Sequence, residues 1–366
     1  MTPLGEHLVR RIRLEGPLAV AAFMADALAH PRLGYYRTAA PLGAAGDFVT
    51  APEVSQMFGE LVGLWCLDLW ERMGAPAPIR LVELGPGRGT LIADALRATR
   101  IRPEFHAALT LHLVEINPGL RARQAEAVAP YRERIGGCTW HDGFADVLDG
   151  PILLVANEFF DALPVHQFQR EAGRWRERVV TLGPEQDRLG FALAEPGPEL
   201  ALLAPELAAA GDGALAEVSP AAIQLAAAIG RRIARDGGGA LILDYAHAGE
   251  PLWSLQAVRR HVRLADPLTD PGLVDLSARV DFARLARAAG EAGARVLGPA
   301  SQRDFLEALG IRTRAAALAE RARDGQSAAI PAALHRLLDP AEMGTLFQAI
   351  ALARPDGPLP AGFATR

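Results

Sequence analysis

A chain of 366 residues, half of them hydrophobic, has the material for one large domain with insertions or for two smaller ones. Its 22% charged residues and formal net charge of −5 lack the basic excess of a nucleic-acid binder. None of the 38 basic residues is a lysine, which argues against P-loop phosphate binding and Schiff-base catalysis, since both need a lysine amine.

The first forty residues read as helix and loop, with Leu18, Ala22 and Phe23 at helical spacing. Asp26 interrupts the apolar stretch from Pro17 to Ala25, so no secretory signal is expected. No run approaches the roughly 18 apolar residues of a membrane span, so no membrane insertion is expected. Thr50-Ala51-Pro52-Glu53 predicts a helix start, with Thr50 as cap and Glu53 reaching back to it. Phe58, Leu61, Val62, Trp65 and Leu69 continue that helix on one face, and Gly74 closes it. Strand-like and helix-like segments then alternate, the pattern of a parallel α/β sheet. Strands are predicted at Arg80–Leu84, Thr110–Glu115, Pro151–Ala156 and Ala240–Asp244. Cys66 and Cys138, the only cysteines, have no paired-ligand spacing; they fit a reducing compartment and a cytoplasmic protein with no disulfide and no metal site.

Between Leu163 and Arg235 lie roughly seventy residues, where one crossover needs only about a dozen. An insertion is expected there. Within it, Glu177–Leu182 and Arg188–Leu193 predict a hairpin across Gly183-Pro184. Alanine dominates from Ala201, and Gly211-Asp212-Gly213 marks a turn. After Gly298 the chain is expected to be mostly helical, with its last dozen residues frayed.

The strongest local signal is Val82-Glu83-Leu84-Gly85-Pro86-Gly87-Arg88-Gly89-Thr90, which follows an apolar strand and opens a helix. Glycines at such a turn permit tight curvature and close approach of a ligand. Thr90 stands where a dinucleotide-binding loop needs its third glycine. Glu115 ends the next strand, where a carboxylate can accept hydrogen bonds from both hydroxyls of a ribose. Glu83 ahead of Gly85, Gly87 and Gly89 favours S-adenosylmethionine (SAM) over NAD(P), because the methionine end of SAM has no pyrophosphate to cradle. Asp142, after the short segment Cys138–His141, is a candidate partner for the adenine amino group, or an ordinary turn aspartate before Gly143.

The run Pro151–Ala156 delivers Asn157-Glu158-Phe159-Phe160-Asp161-Ala162-Leu163-Pro164 at its carboxyl end, where ligands of doubly wound sheets bind. Two carboxylates and two aromatics gathered there are costly unless they meet a polar or cationic partner. His166 reads as a structural histidine rather than a base.

The long combined motifs resemble the MidA-like family of SAM-dependent methyltransferases, which includes a mitochondrial arginine methyltransferase supporting respiratory complex I assembly. The similar stretches are residues 46–60, the loop from Glu83 to Thr90, Asn157–Phe168, Gln256-Ala257-Val258-Arg259, Val280-Asp281-Phe282 and Met343-Gly344-Thr345-Leu346-Phe347. The resemblance implies a class I methyltransferase fold: a Rossmann-like, mostly parallel seven-stranded sheet, an N-terminal helical region, an insertion between the fourth and fifth strands, and a helical C-terminal part. The expected division is an N-terminal region with a cofactor-covering segment (1–75), a methyltransferase core (76–162 and 236–300), an insertion suited to partner docking (163–235) and a helical part (301–366). The resemblance implies that Gly85, Gly87, Gly89 and Glu115 take the cofactor, that Gly46 and Asp47 fold over it, and that Glu158 and Asp161 act on an acceptor arginine of a protein substrate; Glu83, Asp142 and Asn157 complete the expected cofactor-binding set. The chain departs from the family at Arg279, where His is expected, and at Ala246, where Gly is usual; both bear on the acceptor side. The competing readings are an NAD(P)-dependent oxidoreductase and a SAM-binding assembly factor without turnover.

Overall fold

The computed structural model describes residues 1–38, 50–185, 188–203, 210–246, 253–321 and 329–363. Contacts divide the chain into two units. One comprises Met1–Phe48, Asp161–Gln224 and His247–Arg279; the other comprises Val49–Phe160, Leu225–Ala246 and Val280–Arg366. The N-terminal helices and most of segment 163–235, far apart in sequence, therefore share one unit.

The unit beginning at Val49 is built on a seven-stranded sheet: β1 (Ile79–Leu84), β2 (Leu109–Val114), β3 (Cys138–His141), β4 (Ile152–Asn157), β5 (Gly238–Tyr245), β6 (Arg295–Ser301) and β7 (Phe347–Ala353). Their order is β6-β7-β5-β4-β1-β2-β3. Neighbours from β5 through β3 are parallel, and β7 runs antiparallel to both β5 and β6. All four predicted strands are present with slightly shifted ends. Ile152 to Ala156 are all buried, as expected of a parallel strand in the middle of a sheet covered on both faces. The predicted helical stripe of Phe58, Leu61, Trp65 and Leu69 joins Leu91, Ile92 and Leu96 in one apolar core.

The helix predicted from Thr50 is two helices, Ala51–Val54 and Gln56–Arg72. Ser55 breaks them apart and caps the second, accepting from the Met57 amide at 3.2 Å, while Thr50 makes no side-chain cap. After Gly298 the chain contributes helices, but also β7, whose alternation is hidden because both its faces are apolar. The tail is not frayed as far as Phe363. Trp65 Nε1 donates to the Ala361 carbonyl at 3.1 Å, and the Phe363 ring lies 5.3 Å from that of Phe305.

The unit beginning at Met1 holds the helices Pro3–Glu15 and Val20–Ala29 and a five-stranded sheet. In that sheet Leu18–Ala19, Arg174–Leu182, His166–Glu171 and Leu215–Val218 lie side by side, and Leu189–Ala194 pairs with Arg174–Leu182. The predicted hairpin is thus observed, closed by the Gly183 amide donating to the Arg188 carbonyl at 2.7 Å. A second, three-stranded sheet places Gln256–Arg259 between Val262–Arg263 and Asp275–Ser277. Leu4, Leu8, Phe23, Met24, Val180 and Leu276 are among the buried residues of this unit's core. No helix among the described residues is long and apolar enough to cross a membrane.

Candidate active site

The strand order reverses between β1 and β4, which pair in parallel from Arg80↔Ile152 to Leu84↔Ala156. A crevice outside the carboxyl ends of strands at such a switch point is the usual ligand site of open α/β sheets. Two segments emerge there, the glycine loop after β1 and the Asn157–Phe160 turn after β4.

Gly85, Gly87 and Gly89 all have left-handed backbones, with φ of +63°, +54° and +80°. A Cβ on Gly85 would lie 2.8 Å from the Phe159 ring. Glycine is therefore required by both conformation and space, and Phe159 brings the turn against the loop. Glu53, expected to cap its own helix, instead accepts from the Thr90 hydroxyl at 2.6 Å and faces the Arg88 guanidinium at 3.4 Å. Those bonds hold the first turn of helix Thr90–Thr99 and the loop to helix Ala51–Val54.

Glu83 is buried at the end of β1, and among the described residues its Oε2 has no hydrogen-bond partner. Burial pushes its carboxyl up to about 8. An orphaned carboxylate two residues before Gly85 is a place for a cationic group. Between 4.5, the ordinary value, and about 8, the folded chain keeps a proton that the unfolded chain has released, so stability falls as pH rises through this window. Glu83→Gln should therefore raise the melting temperature of the ligand-free protein at pH 8 and flatten its decline from pH 5 to 8. An unchanged slope would contradict the assignment.

Glu115 is 8% exposed and follows β2 directly. Its Oε1 accepts from the Asn117 amide at 2.8 Å, and its Oε2 accepts from Gln124 Nε2 at 3.2 Å. Burial raises its pKa, and these hydrogen bonds oppose the rise. The Ile116 amide bonds the same carboxylate, which keeps acceptor capacity beyond these three bonds. Asp142 follows β3, is exposed, and accepts from Arg121 Nη2 at 2.5 Å. Gly46 and Asp47 lie outside the described residues.

After β4, Glu158 adopts a left-handed φ of +51°, strained for a residue with a side chain. Its Oε1 accepts from the Ala51 amide at 2.9 Å and from Asn157 Nδ2 at 3.1 Å. Burial first, with the charge of Asp244 adding to it, pushes the Glu158 carboxyl up to about 7. Asp244, fully buried in β5, pins the turn: its Oδ2 accepts from the amides of Phe159 (3.0 Å) and Phe160 (2.8 Å). Phe160 is core, as its apolar character suggests.

Asp161 falls in the unit beginning at Met1. Its carbonyl accepts from the Ala278 amide at 2.8 Å. In the same unit the Tyr36 hydroxyl donates to Asp275 Oδ1 at 2.9 Å. Burial, then the charges of Asp275 and Asp161, raise the Tyr36 phenol well above its ordinary value. His166 pairs with Glu177 at 2.7 Å, and Asp281 caps helix Phe282–Glu291 through the Arg284 amide. Around the glycine loop and the turn after β4, Glu53, Gln124 and Asp244 are not singled out by any local sequence pattern as candidate site residues. The nearest to a signal is that Asp244 ends a predicted strand, as Glu115 does. Tyr36 and Asp275 are 239 positions apart, and no local pattern joins them.

Residues 61–300 match the family described as "Putative S-adenosyl-L-methionine-dependent methyltransferase". The chain is 38% identical to the mitochondrial protein arginine methyltransferase NDUFAF7 of Danio rerio, over 94% of this chain and 85% of that protein. It is 35% identical to its Homo sapiens counterpart, over 96% and 83%. Among solved structures it is similar to a protein from Burkholderia thailandensis bound to S-adenosyl-homocysteine, with a TM-score of 0.83 and 29% identity, covering 97% of this chain and 93% of that one. The relatives are named as mitochondrial proteins, which overturns the expectation of a cytoplasmic protein. That expectation rested on Cys66 and Cys138 being free thiols, and free thiols report a redox state rather than a compartment.

Proposed function

The chain belongs to the family of SAM-dependent methyltransferases that matches it over residues 61–300, and from that premise we propose that its methyl acceptor is an arginine side chain of a protein partner. The names of the relatives support this reading, as does one observation above the others: a half-buried carboxylate, Glu158, at the carboxyl end of β4, in a turn packed against the glycine loop. The family match disfavours the nicotinamide alternative. A subunit of respiratory complex I is the acceptor that the sequence resemblance points to, and it belongs to this proposal.

The residues around the loop fit SAM. Glu83, with its orphaned Oε2, suits the ammonium group of the methionine end, and the Glu115 carboxylate keeps acceptor capacity for a ribose hydroxyl. Asp142 is the proposed partner of the adenine amino group, and Asn157 holds Glu158 in place. SAM, when bound, supplies an electrophilic methyl group on sulfur. An arginine guanidinium, with a pKa above ~12, is a poor nucleophile until one of its nitrogens is oriented and relieved of charge. Glu158 has Oε1 committed to Ala51 and Asn157, which leaves Oε2 to pair with one edge of the guanidinium and direct another nitrogen to attack. Glu158, poised at about 7, can take at Oε2 the proton that a guanidinium nitrogen gives up on being methylated. The contribution of Asp161, which belongs to the other unit, is a separate proposal.

The test is selective blocking of the acceptor. A protein acceptor pool treated with a dicarbonyl reagent that caps arginine should lose methyl acceptance, and amine acetylation should leave it intact; the reverse pattern would contradict an arginine acceptor. The hairpin between Arg174–Leu182 and Leu189–Ala194 is the proposed docking element, because a protein acceptor needs surface beyond a cofactor cleft. Replacing its tip around Gly183–Arg188 should weaken acceptor use severalfold at unchanged SAM affinity. Normal methylation by that variant would make the tip a bystander.

A further inference from the structure

Gln124, on helix Pro118–Val128, is completely buried and ties together three segments around the glycine loop. Its Nε2 donates to the Gly87 carbonyl at 2.7 Å and to Glu115 Oε2 at 3.2 Å, and its Oε1 accepts from Trp140 Nε1 at 2.8 Å. The amide has one possible orientation. An indole N–H only donates, while a carbonyl and an ionised carboxylate only accept, so a flipped amide would lose all three bonds. Both amide hydrogens are thereby committed, one to the loop and one to the carboxylate.

We propose that Gln124 is a positioning residue for the nucleoside part of the cofactor, acting through Glu115 to make the site selective for an intact ribose diol. The geometry separates the duties of the carboxylate oxygens. Oε1 is held by the Asn117 amide and Oε2 by Gln124, and the Ile116 amide bonds the same carboxylate, so it is held against rotation with acceptor capacity left for the ribose. The same amide grips the carbonyl of Gly87 in the left-handed loop, so the loop and the ribose carboxylate are set by one buried group. Trp140, in β3, fixes that group from the opposite side. Gln124 is among the groups that oppose the burial-driven rise of the Glu115 carboxyl, so its loss works against the ionised form that accepts the most hydrogen bonds. The proposal rests on the reading of Glu115 as the ribose acceptor.

The test is calorimetric titration of the full chain with S-adenosylhomocysteine and with its 2′-deoxy analogue. The unaltered protein should prefer the ribose form by about tenfold or more, the scale of one charge-assisted hydrogen bond. Gln124→Leu keeps the bulk and removes both N–H donors. It should weaken S-adenosylhomocysteine by about tenfold and reduce the preference for ribose to within about twofold or threefold, with a smaller effect on the deoxy analogue. Gln124→Glu keeps the acceptor for Trp140 but sets a second carboxyl against Glu115. Its binding should be weak at pH 8 and recover partly by pH 6, as the introduced carboxyl takes up a proton it can donate, a pH dependence that mere space-filling would not produce. This second variant decides the matter if the leucine variant does not fold. An undiminished preference for ribose in Gln124→Leu, or pH-independent binding by Gln124→Glu, overturns the proposal. If Glu115→Ala also keeps the full preference, the ribose reading of Glu115 itself has failed; if Glu115→Ala loses it and Gln124→Leu does not, only the role of Gln124 has failed.

Discussion

Glu158→Gln is expected to lower methyl transfer by about a hundredfold, the scale of losing one well-placed electrostatic group in an active site, while folding and SAM affinity stay near normal. The substitution keeps the oxygen that accepts from Ala51 and Asn157, so the turn and the start of helix Ala51–Val54 should survive. It removes the charge that orients a guanidinium, and puts an amide where Oε2 offered a proton acceptor. The pH profile is a second reading of the same group. With the carboxyl raised to about 7 by burial, the unaltered enzyme should lose activity as pH falls from 8 to 6, and the residual activity of the glutamine variant should lack that inflection. The stability sign is opposite: the folded chain holds this proton between 4.5 and about 7, so the group favours the folded state most at low pH and less as pH rises through that window. Acid should therefore reduce turnover before it reduces melting temperature. Wild-type turnover by Glu158→Gln would remove the residue from the chemistry. Asp161→Asn should show a smaller loss.

Glu115→Ala should weaken SAM binding at least tenfold. Each charge-assisted hydrogen bond to a ribose hydroxyl is worth roughly 1.5–3 kcal/mol, and the substitution also leaves the Asn117 amide and one amide hydrogen of Gln124 without the acceptor they now share. Part of the loss will therefore come from a loosened loop. Titration at matched salt separates this from a folding defect when the melting temperature is followed in parallel, and an unchanged affinity would contradict the assignment.

The local geometry of the proposed cofactor half was largely legible in the sequence, because it is built from short contiguous signals. Gly85, Gly87 and Gly89 each require a left-handed backbone, and Glu115 ends a strand whose apolar run announces it. The supporting half was not legible. Gln124 lies on a helix with little amphipathic contrast, and its partners Gly87, Glu115 and Trp140 come from three other segments. Glu53 matched a local capping pattern so well that its long-range bonds to Thr90 and Arg88 could not be read from it; tertiary partners won over the local one. Likewise β7, apolar on both faces and last in the chain, looks like any buried segment until β5 and β6 are seen on either side of it. In the other unit, Tyr36, Asp161 and Asp275 come together through contacts between remote segments, and only their coordinates group them.

The central claim is methyl transfer to protein arginine, and one measurement meets it directly. The purified chain is incubated with methyl-labelled SAM and a protein extract that includes respiratory complex I, and the labelled proteins are hydrolysed and resolved by mass spectrometry. The account predicts label on methylated arginine, dependent on the enzyme and reduced about a hundredfold by Glu158→Gln. Label found on lysine, on another residue or on small molecules alone would contradict it, as would a chain that binds SAM tightly and transfers no methyl group to any protein.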